Sequence, residues 1–305
     1  MKFVFLSSLL LCAYLTSPAF AASTPRSSER TLAGSVEVLQ GEILELQLSA
    51  DGIRAIEAKM GKEPVHFFLE ENGAYRALIG ADVAAKPGMR KILVRAVMAS
   101  GDTEEREIDV RIKAKAFKQE SFTVAAEYDQ FTPELLERIR REREQFAQAY
   151  ASSAPKRSWE KPFIAPTPVE ITSPFGYRRV INGTPRSPHT GTDLKAAPGT
   201  EIAASNHGRV VLTGDFYFAG KGIVVDHGAG VMTMYFHLSE IKVDRGAEVH
   251  KGEVIALSGM TGRVTGPHLH WGARVGGARV DPLELIEKLG SGVKASTAAA
   301  ASWEK

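Results

Sequence analysis

Cysteine is almost missing from this sequence. Among 305 residues there is one, Cys12, and it lies in an apolar N-terminal stretch that we predict to be removed from the mature chain. Without a thiol, the mature chain can form no disulfide bond. It also lacks a cysteine nucleophile and a thiolate metal ligand. Any covalent or metal chemistry must therefore depend on other side chains.

A strong excess of charge is missing as well. The chain has 38 lysines and arginines against 36 aspartates and glutamates, which gives a formal net charge of +2. So balanced a charge gives no reason to expect nucleic-acid binding, although the slightly basic character is compatible with an anionic polymer. The composition, 44% hydrophobic and 24% charged, is that of an ordinary globular protein. The length allows two modest domains.

Long hydrophobic runs are also absent. The apolar residues 3–15 follow Lys2 and precede Ala19-Phe20-Ala21, a pattern typical of a secretory signal over residues 1–21 with cleavage before Ala22. A membrane span needs about 20 apolar residues, and serines, threonine and proline interrupt this run. We therefore predict secretion across the inner membrane and no stable membrane anchor after cleavage.

The segment from residue 35 to residue 117 alternates apolar and polar residues between turn signals. Residues 42–48 and 90–97 show a period of two, and Asp51-Gly52 and Asn72-Gly73 are typical of turns. Short strands at this spacing predict a mostly β protein whose N-terminal domain is a β-sandwich. The immunoglobulin-like fold is one form of such a sandwich.

Residues 118–162 have a different character. Thr132-Pro133-Glu134 predicts a helix N-cap, a proline at the first helical position and an acidic first turn, with the helix continuing to about Tyr150. Its interleaved arginines and glutamates predict a solvated face rather than a nucleic-acid surface. We expect a helical connector packed between two domains, followed by a proline-rich linker.

Residues 163–289 return to β-type runs separated by glycine-containing turns, which predicts a mostly antiparallel C-terminal domain. Trp271 is expected to pack beneath this sheet. Three histidines at turn or charged positions are expected to face solvent: His207, His227 and His250. Residues 290–305 are rich in alanine and serine and predict a disordered tail.

Two segments of this C-terminal domain carry side chains suited to metal chemistry. His189 and Asp193 lie in a stretch that proline and glycine keep from forming a helix, while His268 and His270 would leave the same face of a strand. Two imidazoles and one carboxylate leave one tetrahedral position open, as a catalytic zinc site requires. Such a site performs hydrolysis, because the ion polarises a carbonyl and lowers the pKa of water. The candidates for the general base are His268 and His237.

Four motifs follow one another in this domain: Phe175-Gly176-Tyr177-Arg178, His189-x-Gly191-x-Asp193, Tyr235-x-His237-Leu238 and Thr265-Gly266-Pro267-His268-Leu269-His270. Their order resembles the LytM/lysostaphin-type zinc endopeptidases, peptidase family M23, some periplasmic members of which carry a preceding β-domain. The resemblance implies that His189, Asp193 and His270 hold Zn²⁺ and that His237 and His268 act in catalysis. All five positions are filled, which argues against the inactive relatives that only activate other wall enzymes.

The resemblance further implies a periplasmic enzyme that hydrolyses cross-bridge or stem-peptide amide bonds of peptidoglycan. Tyr177, Arg178 and Arg179 flank the metal motif and are candidate substrate contacts, whereas ordinary surface arginines are the alternative. Two other functions stay open. One is a non-catalytic cell-wall-binding activator of a separate amidase, and the other is a secreted metallopeptidase acting on proteins. The sequence makes no prediction of the oligomeric state.

Overall fold

The computed structural model describes residues 36–122, 131–160, 162–289 and 299–301. The predicted signal sequence, Cys12 and most of the predicted tail lie outside the described residues. Within them, strands far outnumber helices, which confirms the prediction of a mostly β protein. In this part of the chain, no helix is both long enough and apolar enough to cross a bilayer.

The N-terminal part of the chain forms two sheets. The first has the strand order β1-β8-β7-β3-β4, and the second contains β2, β6 and β5. The strand bounds are β1 Val36–Leu39, β2 Ile43–Ser49, β3 Ile53–Met60, β4 Glu63–Pro64, β5 Phe67–Leu69, β6 Ala74–Gly80, β7 Gly88–Met98, β8 Thr103–Lys113 and β9 Gln119–Phe122.

A shared apolar core joins these two sheets. Alternate residues of β7 and β8 point inward, and the register pairs Ile92 directly with Ile108. Across the core, Leu46 and Ile79 come from the second sheet. Because each strand has one buried and one exposed face, the period-two pattern of the sequence is explained by packing between the sheets.

The helix α1, Pro133–Ala151, begins where the sequence predicted. The Thr132 side chain accepts a hydrogen bond from the Leu135 amide, 3.3 Å away, and Pro133 occupies the first turn. The apolar side of α1 does not lie between the domains, however. Ala149 and Phe146 pack on the C-terminal sheet, because that sheet exposes a matching apolar outer face. The prediction of an interdomain helix was wrong in this respect.

The C-terminal part of the chain forms one ten-stranded sheet. Its main path runs β10-β13-β20-β17-β16-β15-β18, with β14 and β19 paired beside β17 and β21 beside β20. The bounds are β10 Ile171–Ser173, β11 Arg178–Ile181, β12 Thr184–Pro185, β13 Gly191–Leu194, β14 Glu201–Ala203, β15 Gly208–Phe216, β16 Gly220–Gly228, β17 Val231–Ile241, β18 Glu248–Val249, β19 Val254–Ser258, β20 Leu269–Val275, β21 Ala278–Val280 and α2 Pro282–Leu289.

Strand β17 is the centre of this sheet. It pairs with β16, β19 and β20, and seven of its eleven residues are buried. Tyr235 and Trp271 lie opposite each other on β17 and β20, and both are fully buried. Trp271 therefore packs within the sheet's core, as the sequence predicted.

The two domains meet through an apolar contact. Trp159 of the linker lies in one cluster with Phe68 of the first domain and with Phe163 and Val231 of the second. Beside it, Arg279 donates to both carboxylate oxygens of Asp82, at 2.8 and 2.6 Å. The two parallel hydrogen bonds make this ion pair directional, whereas the apolar contact is not.

Three details differ from the sequence predictions. His227 is fully buried within β16, not solvent-facing, because Thr233 and the His207 carbonyl satisfy its ring nitrogens at 2.7 Å each. The connector contains a strand, β9, which pairs parallel with β11. Part of the predicted disordered tail, β22 Ala299–Ala301, forms a strand beside β2, since β2 is an edge strand open on that side.

One buried carboxyl group at the domain junction gives a prediction about stability. Glu284 of α2 approaches the Ile43 amide, and burial, together with the nearby Glu42 charge, raises the pKa of Glu284 to about 7. The folded state thus holds this proton more tightly than the unfolded state, whose pKa is near 4.5. Protonated Glu284 therefore contributes fully to the stability of the fold below pH 4.5. This contribution is lost as the pH rises through about 7 and the carboxyl group ionises.

We therefore expect Glu284→Gln to be more stable than the wild type at pH 8, by about 1–2 kcal/mol after allowance for solvent screening. At pH 4.5 the two proteins should have nearly equal free energies of unfolding. Urea denaturation at both values measures this difference. Glu287→Gln, on the exposed side of the same helix, is the control. An equal gain for Glu284→Gln at both pH values would contradict the prediction.

Candidate metal centre

The core of the candidate site is a pair of opposed strands. In the antiparallel register of β13 with β20, Asp193 lies directly opposite His270. Side chains in such a pair leave the same face of the sheet within about 5 Å of each other. Gly191 makes room for the imidazole, because a Cβ atom there would lie 2.5 Å from His270 Nε2. The fold thus brings together two residues that are 77 positions apart in the chain.

His189 reaches the same place from the loop before β13. Its amide donates to the Tyr177 carbonyl, and its own carbonyl accepts from the Gly176 amide, both at 2.9 Å. These two backbone hydrogen bonds fix the His189 backbone beside the Phe175-Gly176-Tyr177 segment. The first of the four sequence motifs therefore serves to position the second.

Three donor atoms converge at this point: His189 Nε2, Asp193 Oδ1 and His270 Nδ1. The two imidazole nitrogens are 3.1 Å apart, and Asp193 Oδ1 is 3.0 Å from His189 Nε2 and 2.8 Å from His270 Nδ1. A zinc ion needs about 2.0–2.2 Å to each nitrogen or oxygen ligand, and a point at that distance from all three atoms exists for this triangle. In the described part of the chain, these residues are the group of three with metal-binding geometry.

Neighbouring groups set the orientation of these donors. His189 Nδ1 donates to the Pro174 carbonyl at 2.9 Å, which leaves the Nε2 lone pair free for a metal. Arg179 lies 3.4 Å from Asp193 Oδ2, the oxygen that does not face the imidazoles. Arg179 is thereby placed to hold the carboxylate with a single oxygen toward the ion.

The fold gives the side chains of the three predicted substrate contacts different surroundings. Arg179 contacts Asp193, as just described, whereas the Arg178 side chain is exposed on the same strand. Tyr177 is half-buried and contributes its backbone carbonyl to His189. A role in binding substrate stays a prediction for all three residues.

His237 stands at an irregular point of β17. The pairing of β16 with β17 shifts by one residue between Tyr235 and Leu238, and His237 has a φ of 66°. This left-handed conformation is unfavourable for a residue with a side chain and is concentrated at functional sites. The Thr261 carbonyl accepts from His237 Nδ1 at 3.0 Å. The bulge and this bond turn the ring toward His268 and His270.

His268 lies just before β20 and completes the group. Its Nδ1 donates to the Gly266 carbonyl at 2.9 Å, and its Nε2 lies 3.7 Å from Asp193 Oδ1. The His237 and His268 ring centres are 4.9 Å apart. Both rings therefore carry the proton on Nδ1 and offer an Nε2 lone pair beside the three donors.

Burial controls the charge of these groups. Burial, aided by the charges of His270 and His268, lowers the pKa of His237 to about 3. Burial also lowers the pKa of His270. Although burial raises the pKa of Asp193, its polar contacts with the His189 and His270 imidazoles outweigh burial and hold that pKa well below its usual range. The carboxylate is thus ionised and His237 neutral at neutral pH, which are the forms that bind metals and accept protons.

Sequence reasoning missed the residues that orient the histidines. Thr261 acts through its carbonyl, and its hydroxyl donates to the Leu238 carbonyl at 2.7 Å. Pro174 and Gly266 also act through carbonyls. A backbone carbonyl does not depend on residue type, so residue patterns carried no signal for these three contacts. Arg179 was noticed for a different role.

Comparison with known proteins identifies the family. The profile of peptidase family M23 matches residues 187–282. A Pseudomonas aeruginosa protein whose crystal structure is described as a peptidase M23 is 31% identical, with a TM-score of 0.65, and the match covers 81% of this chain and 94% of that one. The chain belongs to peptidase family M23. The M23 assignment confirms the resemblance of its motifs.

Two curated relatives match part of the chain. Peptidoglycan DD-endopeptidase ShyA of Vibrio cholerae is 44% identical over 124 residues, 40% of this chain and 29% of the relative. DD-carboxypeptidase/endopeptidase Mpg of Neisseria meningitidis is 44% identical over 116 residues, 38% of this chain and 26% of the relative. The chain thus spans less than a third of the length of these curated relatives.

The contact between Arg179 and Asp193 gives a prediction about metal affinity. Arg179→Met should weaken zinc binding by about 10–100-fold, because groups that orient a ligand contribute that much. Competition with a chelator of known affinity measures the change. Arg178→Met is the matched control, since its side chain points to solvent on the same strand. Wild-type zinc affinity in Arg179→Met would show that the contact does not orient the ligand.

Proposed function

We propose that this M23 protein is a zinc-dependent peptidoglycan endopeptidase. It hydrolyses cross-bridge or stem-peptide amide bonds after export to the periplasm. The observation that carries the proposal is the convergence of His189 Nε2, Asp193 Oδ1 and His270 Nδ1 within 3.1 Å of one another. Two further imidazoles beside them are placed to transfer protons.

The donor set supports zinc as the metal. Imidazole and carboxylate ligands suit a borderline divalent ion, and three protein ligands leave a coordination position for substrate or water. Zinc in this position supplies Lewis acidity at the scissile carbonyl and lowers the pKa of water. The remaining steps belong to side chains of the protein.

His237 and His268 are the proposed proton-transfer residues. With Nδ1 held by the carbonyls of Thr261 and Gly266, each ring presents Nε2 as an acceptor. In the proposed mechanism these nitrogens take a proton from the attacking water and return it to the leaving amine. Because His237 is neutral at neutral pH, it is ready to accept a proton without first losing one.

The surroundings of the site suit an extended peptide. Among the described residues, β10 is an edge strand of the sheet. It lies next to β13, the strand that carries Asp193. Ile171 of β10 is 42% exposed. A peptide running along this edge could form backbone hydrogen bonds with the protein. Across the site, the exposed Phe218 and Met260 lie near Thr261 and offer apolar contacts for short side chains.

The relatives support peptidoglycan as the substrate. ShyA is named a peptidoglycan DD-endopeptidase, and Mpg a DD-carboxypeptidase/endopeptidase. By analogy, the proposed bond is a D,D cross-link where the wall is directly cross-linked. A predicted signal sequence over residues 1–21 would deliver the enzyme to that polymer.

Digestion of purified sacculi tests the proposed function. The zinc-loaded protein should release cross-link-cleaved muropeptides that mass spectrometry identifies. Casein, incubated in parallel, should stay intact, and an amidase added separately should not be stimulated. Cleavage of casein alone would indicate a protein-directed metallopeptidase. Intact muropeptides together with a stimulated amidase would indicate a non-catalytic activator, and either result would reject the proposal.

Substitution of the two proton-transfer residues gives a sharper prediction. His237→Ala and His268→Ala should each lower kcat by about 10²–10⁴-fold while keeping zinc, because neither belongs to the three converging donors. The measurement pairs muropeptide turnover with zinc content. His66→Ala is the control, since His66 lies in the N-terminal domain and should leave both values unchanged. Full turnover in either variant would remove that histidine from the mechanism.

A further inference from the structure

A second pair of histidines lies at the far edge of the C-terminal sheet. Strands β15 and β18 are antiparallel, with Gly208 opposite Val249. Continuing this register by one residue places His207 directly opposite His250. In the strand order, β13 and β20, which carry Asp193 and His270, are separated from β15 by β17 and β16. The pair therefore shares no ligand with the site described above.

The spacing of the two rings suits a shared ion. His207 Nδ1 and His250 Nδ1 are 3.3 Å apart, and the rings are nearly perpendicular at 81°. Two ligands of a tetrahedral ion with bonds of about 2.0 Å lie about 3.3 Å apart. The measured distance therefore suits joint ligation of one ion.

The other atoms of His207 agree with this geometry. Glu160 Oε1 lies 3.4 Å from His207 Nε2, and the Lys251 amide donates to His207 Nδ1 at 3.4 Å. The proton of the neutral ring thus belongs on Nε2, and the lone pair on Nδ1. A bound ion would replace the long contact of the Lys251 amide with this lone pair. A carboxylate behind a histidine ligand, bonded to its second nitrogen, is the usual arrangement in metal sites.

The pair is both accessible and held in place. His250 is exposed and the His207 side chain is 32% exposed, so an ion could enter and keep water ligands. The His250 amide donates to Glu253 Oε2 at 2.8 Å. The His207 carbonyl accepts from the buried His227 ring. Lys251 Nζ lies 3.7 Å from Glu160 Oε1, so this carboxylate offsets part of the repulsion that the lysine exerts on a cation.

We propose that His207 Nδ1 and His250 Nδ1 form a second binding site for a borderline divalent transition-metal ion, such as Zn²⁺. Imidazole is a suitable ligand for such ions, and water would complete the coordination. Bound there, the ion ties the start of β15 to the end of β18, with Glu160 of the interdomain linker behind it. Because two protein ligands hold the ion instead of three, it binds more weakly than at the first site.

Equilibrium dialysis of the full chain against Zn²⁺, followed by metal analysis, tests this proposal. At pH 7.5 the wild type should bind a second, weaker zinc equivalent that is lost in acid, because protons compete with the metal for imidazole nitrogens. His250→Ala and His207→Ala should each lower the affinity of that site at least tenfold. Glu160→Gln should lower it about tenfold through the orienting bond.

Two controls make the result decisive. His66→Ala removes a histidine elsewhere and should keep both zinc equivalents. His250→Ala should unfold at the wild-type temperature in the presence of a chelator, because its side chain is exposed, and should lose only the zinc-dependent increase of Tm. A single zinc equivalent in the wild type, or a second equivalent that persists in both His207→Ala and His250→Ala, would overturn the proposal. Neither result depends on hydrolytic activity.

Discussion

The pairing of β13 with β20 is the constraint on which the candidate metal centre depends. In this register Asp193 faces His270, and Thr192 faces Trp271. A shift by one residue would move every side chain of β13 to the opposite face of the sheet, so the carboxylate would enter the core and the imidazole would lose its partner. The fully buried Leu194 of β13 opposes this shift, because its apolar side chain would move out of the core. Packing of the core thus sets the geometry of the site.

Backbone carbonyl groups fix the orientation of three of the histidine rings. His189, His237 and His268 each bond to a carbonyl through Nδ1, at 2.9–3.0 Å. This repeated contact fixes the tautomer and the orientation of each ring, so that Nε2 faces the centre. His270 is the exception, since its Nδ1 itself lies among the donors. The result is a site whose nitrogen atoms are oriented mainly by loops, while the strands supply the carboxylate and the imidazoles of His237 and His270.

The sequence predicted those features that depend on residue type and period. Alternating apolar residues indicated the strands, Thr132-Pro133 indicated the start of α1, and the spacing of His268 and His270 indicated a shared face. Features that depend on long-range packing were not predictable. The bulge at His237 arises from pairing with β16, and the burial of His227 depends on Thr233 and on a carbonyl, neither of which has a local signal.

Hydrogen bonds link the contact between the two domains to β13, the strand that carries Asp193 of the candidate metal centre. Asp281, just before α2, donates its amide to the Gly41 carbonyl of the N-terminal domain, at 2.8 Å. Its carboxylate accepts from the Thr192 hydroxyl at 3.3 Å. Thr192 and Asp193 leave opposite faces of β13, so one face of this strand is held by the domain junction while the other carries the ligand. Docking of the N-terminal domain therefore supports the strand that positions Asp193, because displacing that domain would leave the Asp281 amide without the Gly41 carbonyl.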